Sequence, residues 1–274
     1  FPILTEKQMK GYDLVICCVD NLSVRRTLYN TTVKWLDLRA QGRNAALVSH
    51  KADPKMYDML LAVTMVHEGG HAIHSFYTKD MELTSFKSTP SEVAELASMS
   101  MELISMEHWH VFFKDESSWK RARKEQLQGV LATLPWVAMV DKFQHWLYEN
   151  SDHTHQERHN KWASISMRYG TGLVDWTSYE KYQKTAWQRQ LHIYEVPFYY
   201  IEYGMAQLGA IAIWRNYKQN PEKALDDYDR ALKLGYTKTI SEIYETAGIK
   251  FDFSAAYVKD LANFVKCELE LLDN

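Results

Sequence analysis

The spacing of apolar residues along the chain predicts a mostly helical protein. From residue 90 onward, apolar positions follow the three-and-four spacing of amphipathic helices almost without interruption. A kink is expected at Pro135, because proline removes one helical hydrogen bond. Helices are expected over 90–113, 117–149, 154–169, 178–190, a segment ending near 217, 221–234, 239–247 and 253–272.

The first part of the chain has a weaker pattern. Residues 13–19 predict a short buried strand, whereas residues 36–40 resemble the last turn of a helix. A new helix should begin with Asp53 as its cap and Pro54 in its first turn, and continue to about Tyr77. The expected fold is therefore mainly α, with at most a small β element near the N-terminus.

Composition and charge narrow the function classes. The chain has 274 residues, 46% of them hydrophobic, and a net charge of -3 without a long basic run. A peptide or small-molecule partner is favoured over nucleic acid or a membrane, and no apolar run is long enough to span a bilayer. The cysteines Cys17, Cys18 and Cys267 indicate a reducing compartment, hence the cytoplasm. A start at Phe1 rather than methionine hints at a longer gene product.

The segment from His67 to His71 carries the clearest chemical signal. Two histidines four residues apart lie on one face of a helix, where neutral imidazole nitrogens can bind one metal ion. Glu68 is rotated round the helix and would reach a water molecule activated by the metal rather than the metal itself. This HExxH pattern predicts two zinc ligands and a general base.

The alternative is a buried helix whose histidines fall at this spacing by chance, which a chain of this length would show in roughly a few per cent of cases. Gly69 and Gly70 argue for a function, because each glycine inside a helix costs about 1 kcal/mol relative to alanine. Close approach of a substrate or of a second helix would explain them.

A third ligand is expected at the start of the next helix, where Glu92 and Glu95 compete. Thr89 and Glu92 fit a capping box with Pro90 at the first helical position, which gives Glu92 a structural role. Glu95 is then the better ligand, and with the motif histidines and a water it would complete an open site of the catalytic type. Glu102 could orient a ligand histidine from behind, or be an ordinary exposed helix acid.

Residues 192–204 supply candidate groups for stabilising an oxyanion. The imidazole of His192 and the phenols of Tyr199 and Tyr203 can donate hydrogen bonds to a peptide carbonyl under attack. The alternative is an aromatic stripe in a helical core.

With these motifs in this order, the chain resembles the oligoendopeptidase F and thimet oligopeptidase family of zinc metallopeptidases. The likeness lies in the HExGHxxH form of residues 67–74 and in the segments 91–98 and 192–204. It is a likeness to the C-terminal catalytic half of that family. The resemblance implies a multi-helical, zincin-like catalytic domain.

The resemblance also implies one zinc ion and a set of site residues. The zinc ligands would be His67, His71 and Glu95, and the base would be Glu68. The assisting groups would be His192, Tyr203 and either Tyr199 or Tyr200.

The implied function is zinc-dependent hydrolysis of internal bonds in short peptides. Residues 1–274 are expected to form a single catalytic domain, matched well over 59–274 and poorly over 1–58, that is the C-terminal part of a longer peptidase. Family members carry an N-terminal helical half, so a missing half or a separate partner chain is also expected. The alternative function is a zinc-binding non-catalytic subunit or a helical scaffold that requires a partner chain.

Overall fold

The computed structural model describes the backbone of residues 15–17, 35–41, 44–49, 54–113 and 115–273, and the side chains of residues 62–113 and 115–273. Its contacts divide the chain into two compact units, Phe1–Leu61 and Ala62–Asn274. The predicted helix cap at Asp53 and the side chains of the cysteine pair at 17–18 lie outside the described residues.

A three-stranded sheet lies in the first unit. Its strands are β1 (Val15–Cys17), β2 (Trp35–Gln41) and β3 (Asn44–Ser49), in the order β1-β2-β3. Strand β2 runs parallel to β1 and antiparallel to β3, so it forms the centre of the sheet. This sheet is the small β element that the sequence predicts near the N-terminus.

The prediction that residues 36–40 end a helix is wrong, because these residues lie in β2. The sequence alternates here, with Leu36, Leu38 and Ala40 separated by the polar residues Asp37 and Arg39. This period of two is typical of a strand, and pairing with neighbours on both sides stabilises it.

Helices make up most of the described chain, which confirms the mainly α prediction. A 3₁₀ turn over Met106–Val111 follows the third helix, and another over Ala186–Arg189 follows the sixth. The α-helices are α1 (Pro54–Thr78), α2 (Thr84–Lys87), α3 (Ser91–Ser105), α4 (Glu116–Glu149), α5 (His155–Tyr169), α6 (Glu180–Thr185), α7 (His192–Glu195), α8 (Ile201–Gln219), α9 (Pro221–Leu232), α10 (Ile240–Thr246) and α11 (Ala255–Asp273).

Helix α8 is the central helix of the second unit. It packs along α3 and also contacts α4, α9 and α11. Small residues allow the close approach: a Cβ at Gly209 would stand 2.6 Å from Cδ1 of Leu96 on α3. The residues from Ala206 to Trp214 of this helix are buried. This packing fixes the start of α8 beside the metal-ligand candidate on α3.

Two predicted details of the helices can be compared with the structure. Helix α4 continues through Pro135 without a break. The capping box predicted for Thr89 and Glu92 is wrong: α3 begins at Ser91, and its cap residue is Pro90, which makes no side-chain capping bond. The backbone carbonyl of Pro90 instead accepts hydrogen bonds from the N–H groups of Val93 and Ala94, both at 3.0 Å. None of the helices in the described ranges is long and apolar enough to cross a membrane.

Candidate active site

Helices α1 and α3 approach each other closely at the HExxH motif. A Cβ at Gly70 would stand 2.6 Å from Cα of Ser98 and 2.7 Å from the carbonyl oxygen of Ala97. Only glycine therefore fits at position 70, where the backbones of the two helices meet. A Cβ at Gly69, by contrast, would meet no atom within 4 Å. One glycine of the pair thus serves helix packing, and the other leaves open space beside the motif.

This close approach brings together the three predicted metal ligands. One ligand atom from each of His67, His71 and Glu95 lies within 4.8 Å of the others, and the described residues contain no other such cluster. Nε2 of His67 is 3.6 Å from Oε2 of Glu95, and the two imidazole centroids are 4.9 Å apart. Two ligands about 2.1 Å from a tetrahedral zinc ion stand about 3.4 Å apart. The cluster therefore has donor types that zinc binds, and its His67–Glu95 separation is close to the spacing of two zinc ligands.

Glu102 is bonded to one of these predicted ligands, His67. Its Oε1 lies 2.5 Å from Nδ1 of His67, and its Oε2 accepts a hydrogen bond of 2.6 Å from Nε2 of Gln126 on α4. A carboxylate bonded to Nδ1 leaves Nε2 of the same ring available as a metal ligand. Glu102 therefore lies behind the cluster, in contact with His67. Of the two alternatives for this residue, a group behind a ligand histidine and an exposed helix acid, the structure agrees with the first. Gln126 was not predicted.

The pKa values of His67 and His71 are shifted in opposite directions. Burial alone would lower the pKa of His67, but the hydrogen bond that its ring donates to Glu102 and the charges of Glu102, Glu95 and Glu68 raise it above the ordinary value. Burial lowers the pKa of His71, and this effect is larger than the opposing effect of the Glu95 charge. Without a metal the acidic groups therefore stabilise a cation here, as a metal-binding site requires.

Glu68 and Glu92 differ in their environments: Glu68 is exposed, whereas a carboxylate oxygen of Glu92 is buried. The side chain of Glu68 is exposed, and its charge contributes to raising the pKa of His67, so it lies near the open side of the cluster. Oε2 of Glu92 is buried, and among the described residues it has no hydrogen-bond partner. Burial, followed by the charge of Glu92, raises the pKa of Glu202 on α8. Glu92 therefore faces α8 rather than the metal-ligand cluster.

The histidine and tyrosines of residues 192–204 form a compact aromatic group. The ring of His192 stacks on Tyr199 at 5.8 Å and meets Tyr203 edge-on at 5.8 Å, and the rings of Tyr199 and Tyr203 are 5.5 Å apart. Burial raises the pKa of Tyr203, and hydrogen bonding to Tyr199 and the charge of Glu95 add to this. The phenol of Tyr203 thus lies within electrostatic reach of the metal-ligand cluster and stays protonated.

The structure separates the roles of Tyr199 and Tyr200. The Tyr199 hydroxyl is joined by a hydrogen bond of 2.7 Å to the hydroxyl of Ser91, at the start of the helix that carries Glu95. The Tyr200 hydroxyl instead accepts a hydrogen bond of 3.0 Å from Nε1 of Trp136 on α4. Tyr199 is therefore on the side of the metal-ligand cluster. Ser91, 108 positions earlier in the sequence, was not predicted as its partner.

A strained turn holds this aromatic group in place. Phe198 has a φ of 60°, a conformation that side-chain-bearing residues seldom adopt. Its backbone N–H donates a hydrogen bond of 3.1 Å to Oε1 of Gln144, which is fully buried on α4. Gln190 contacts Nδ1 of His192 at 2.6 Å. Neither glutamine was predicted, although both determine how the turn before α8 is held.

Comparison with known proteins first gives the class of protein. The model of peptidase family M3 matches residues 29–263, which is most of the chain. The chain belongs to peptidase family M3, and this confirms the resemblance seen in the sequence.

Individual relatives give a narrower comparison. The chain is 24% identical over 235 residues to an oligoendopeptidase F homolog of Borreliella burgdorferi, a match that covers 84% of this chain and 38% of the relative. It is 26% identical over 191 residues to the oligopeptidase PepF of Bacillus subtilis, covering 68% and 28%. The structure of PZ peptidase A with inhibitor 2 matches with a TM-score of 0.70 and 30% identity, covering 76% and 37%. The chain thus spans less than half the length of each relative.

Proposed function

We propose that the chain is the catalytic part of a zinc-dependent metalloendopeptidase that hydrolyses internal bonds of short peptides in the cytoplasm. The observation that carries the proposal is the convergence of His67, His71 and Glu95, with ligand atoms within 4.8 Å of one another. Membership of peptidase family M3 supports the reaction class. The free, exposed thiol of Cys267 supports the reducing compartment.

His67, His71 and Glu95 would hold one zinc ion. Zinc bound there would supply a Lewis acid that polarises the scissile carbonyl and makes water acidic enough to be deprotonated near neutral pH. Glu102 keeps the ring of His67 in the orientation that turns Nε2 toward Glu95, because its carboxylate is bonded to Nδ1. These three residues would be the protein ligands of the metal.

Glu68 would act as the general base. Its side chain is exposed beside the ligand histidines, so it can accept the proton of the attacking water and later donate it to the departing amine. The open space at Gly69 gives a peptide backbone room to approach this carboxylate. One carboxylate can serve as base and then as acid because the proton moves only between water, Glu68 and the leaving nitrogen.

Tyr203 and His192 would stabilise the oxyanion that develops on the scissile carbonyl. The high pKa of Tyr203, caused first by burial, keeps its phenol a hydrogen-bond donor throughout the pH range of the reaction. Tyr199 holds the Tyr203 hydroxyl by a hydrogen bond and is itself bonded to Ser91 at the start of α3. Such donors act on charge that appears only as the reaction proceeds, so they lower the barrier rather than tighten substrate binding.

The experiment measures bound zinc and peptide hydrolysis on the same samples. Metal-free protein is titrated with zinc, and cleavage of an internally quenched peptide is followed. The Glu68→Gln variant should keep one zinc per chain and lose about 10³-fold or more in kcat. The Glu95→Ala variant should lose the metal. Glu116→Gln, on a side chain that is 75% exposed, is the matched control and should behave as wild type.

Two outcomes would contradict the proposal. Full activity of zinc-loaded Glu68→Gln would remove the assigned base. Absence of hydrolysis by the zinc-loaded wild-type chain would instead favour the alternative, a zinc-binding non-catalytic subunit that requires a partner chain.

A further inference from the structure

A row of hydroxyl groups connects Tyr203 with an acid in the first turn of α8. The hydroxyl of Ser91 lies 2.7 Å from that of Tyr199, and Tyr199 is in turn hydrogen-bonded to the hydroxyl of Tyr203. Ser91 is also hydrogen-bonded to the carboxyl group of Glu202. We call these four side chains the hydroxyl chain. One end of the chain is Glu202, and the other is the phenol of Tyr203, on which the charge of Glu95 acts.

The backbone holds the hydroxyl chain in place. Helices α3 and α8 pack along each other, and α3 begins at Ser91. The backbone N–H of Glu202 donates a hydrogen bond of 3.0 Å to the carbonyl oxygen of Tyr199. The rings of Tyr199 and Tyr203 are 5.5 Å apart, and all four side chains of the chain belong to partly buried residues. Partial burial strengthens each hydrogen bond relative to one in bulk water.

Glu202 lies near a second acid, Glu92 of α3. Burial, followed by the charge of Glu92, raises the pKa of Glu202, and the hydrogen bond from Ser91 opposes this. Oε2 of Glu92 is buried and has no hydrogen-bond partner among the described residues. Tyr244 of α10 is a further titratable group here: its hydroxyl donates a hydrogen bond of 3.1 Å to the carbonyl oxygen of Glu92. Glu202 therefore keeps a proton to a higher pH than an isolated glutamate does.

Each hydroxyl group has one proton to donate, so the hydroxyl chain has two consistent directions. When Glu202 is a carboxylate, Ser91 donates to it, and the proton of each tyrosine points along the chain toward Glu202. When Glu202 carries a proton, it donates to Ser91 and the order reverses. Tyr203 then accepts a hydrogen bond from Tyr199, and its own proton is available to an oxyanion. The reversal requires one proton from solvent on Glu202 and rotation of the hydroxyl groups, with no proton transfer between them.

We infer that Glu202 is a positioning residue that acts on Tyr203 through the hydroxyl chain and, when protonated, turns the Tyr203 proton toward the scissile carbonyl. The inference rests on the proposed function, in which Tyr203 is an oxyanion donor. When Glu202 is ionised, the developing oxyanion must compete with the charge-assisted hydrogen bond between Ser91 and Glu202. Loss of one such bond corresponds to roughly a tenfold change in rate. The kcat should therefore fall as the pH rises through the pKa of Glu202.

The first experiment observes Tyr203 without metal and without substrate. Metal-free protein is prepared with tyrosine that carries the NMR-active carbon isotope at Cζ, and the Tyr203 signal is assigned by its loss in Tyr203→Phe. The chemical shift of this carbon reports whether the hydroxyl group donates or accepts a hydrogen bond. As the pH rises, the signal should move in a step whose midpoint lies above 4.5, the ordinary pKa of a glutamate.

Variants assign this step to Glu202. Glu202→Gln is neutral at every pH and should remove the step. Ser91→Ala interrupts the hydroxyl chain and should also remove it, whereas Ser91→Thr keeps a hydroxyl group and should retain it. Glu222→Gln is the matched control, because Glu222 is likewise in the first turn of its helix, α9, but is exposed, and it should retain the step.

The step at Tyr203 also decides against the inference. A step that persists in Glu202→Gln or in Ser91→Ala would overturn it, as would a step that is lost in Glu222→Gln. If Glu202→Gln does not fold, as judged by circular dichroism, Ser91→Ala with its Ser91→Thr counterpart provides the same test.

A second experiment measures kcat of the zinc-loaded chain as a function of pH. The ratio of kcat in Glu202→Gln to kcat in wild type should rise about tenfold as the pH passes the midpoint of the step, with KM unchanged. In a Ser91→Ala background the same substitution should change kcat less than twofold, because the connection to Tyr203 is cut. A merely structural role of Glu202 predicts a loss of kcat that is independent of pH, and this result would overturn the inference.

The two experiments separate this inference from the proposed function. A step at Tyr203 that depends on Glu202 and Ser91, in a chain that does not hydrolyse peptides when loaded with zinc, would refute the proposed function alone. Hydrolysis that depends on Glu68 and Tyr203, without a Glu202-dependent step, would refute the inference alone.

Discussion

The Cα atom of Ser98 lies 2.6 Å from the point that a Cβ at Gly70 would occupy. The backbones of α1 and α3 therefore touch at this position, one residue before His71 on one helix and three after Glu95 on the other. Any separation of the two helices would move Glu95 away from the two histidines. The ligand cluster depends on this contact, which is possible because glycine has no Cβ at position 70.

Alanine at position 70 should therefore disturb both stability and metal binding. Gly70→Ala gains about 1 kcal/mol of helix propensity but forces the helices apart, and overpacking typically costs about 1–3 kcal/mol. We expect a lower free energy of unfolding in urea and weaker zinc binding. Gly69→Ala is the matched control, because its Cβ would meet no atom within 4 Å, and it should raise the free energy of unfolding by up to about 1 kcal/mol. Equal zinc affinity and stability in the two variants would contradict the packing role of Gly70.

Removal of the Glu102 carboxylate should weaken zinc binding without removing a ligand. Glu102→Gln loses the charge beside Nδ1 of His67, and loss of such an outer partner typically lowers metal affinity roughly 10- to 100-fold. Competition with a chelator of known affinity measures the change. Glu125→Gln is the control, because Glu125 forms a surface pair with Arg121. A change of less than twofold in Glu102→Gln would mean that Glu102 does not orient the ligand.

Tyr203 and Tyr200 are adjacent in space but should respond differently to removal of the hydroxyl. Tyr203→Phe removes a donor near the metal-ligand cluster and should lower kcat about 10²–10³-fold with little change in KM. Tyr200→Phe removes a hydroxyl that is bonded to Trp136, so kcat should stay within a few fold of wild type. Steady-state kinetics with one peptide test both. Equal losses in the two variants would indicate a packing role for the aromatic group.

Gln144 should be required to hold the turn at Phe198. Gln144→Leu leaves the N–H of Phe198 without its acceptor in a partly buried site, which costs on the order of 1 kcal/mol in the free energy of unfolding. Activity should fall as well, because the aromatic group follows this turn. Gln156→Leu is the control: Gln156 is exposed and bonded to Asn160, so the change should be within about 0.5 kcal/mol. Urea denaturation and peptide hydrolysis are the measurements, and indistinguishable variants would rule out the role of Gln144.

Local spacing was sufficient to predict the helices and the ligand candidates. His67 and His71 are four residues apart, so one helix alone places them on one face. The sequence favours Glu95 over Glu92 because Glu92 fits a capping box, and that box does not form. The structure nonetheless brings Glu95 to the histidines and turns Glu92 toward Glu202. Glu95 therefore joins the histidines because of how α1 and α3 pack, and not because Glu92 caps the helix.

The supporting residues could not be predicted, because each contact joins distant parts of the chain. Ser91 and Tyr199 are 108 positions apart, Gln144 and Phe198 are 54 apart, and Gln126 and Glu102 are 24 apart. A single polar residue on a helix has no local pattern that indicates its partner. Such contacts follow from the packing of α3, α4 and α8, which hydrophobic periodicity does not specify.

His74, one helical turn beyond His71, should make stability depend on pH. It is 5% exposed, and burial, with a further effect of the charge of His71, lowers its pKa from 6.5 to about 4. Between these two values the unfolded chain binds a proton at His74 and the folded chain does not, so stability is lost as the pH falls from 6.5 to 4. The full loss is on the order of 3 kcal/mol, at about 1.4 kcal/mol per pKa unit. In metal-free protein, His74→Leu should remove this part of the pH dependence of urea unfolding. His155→Leu should keep it, because the ring of His155 is exposed. Parallel pH profiles for His74→Leu and wild type would show that His74 is not held neutral by the fold.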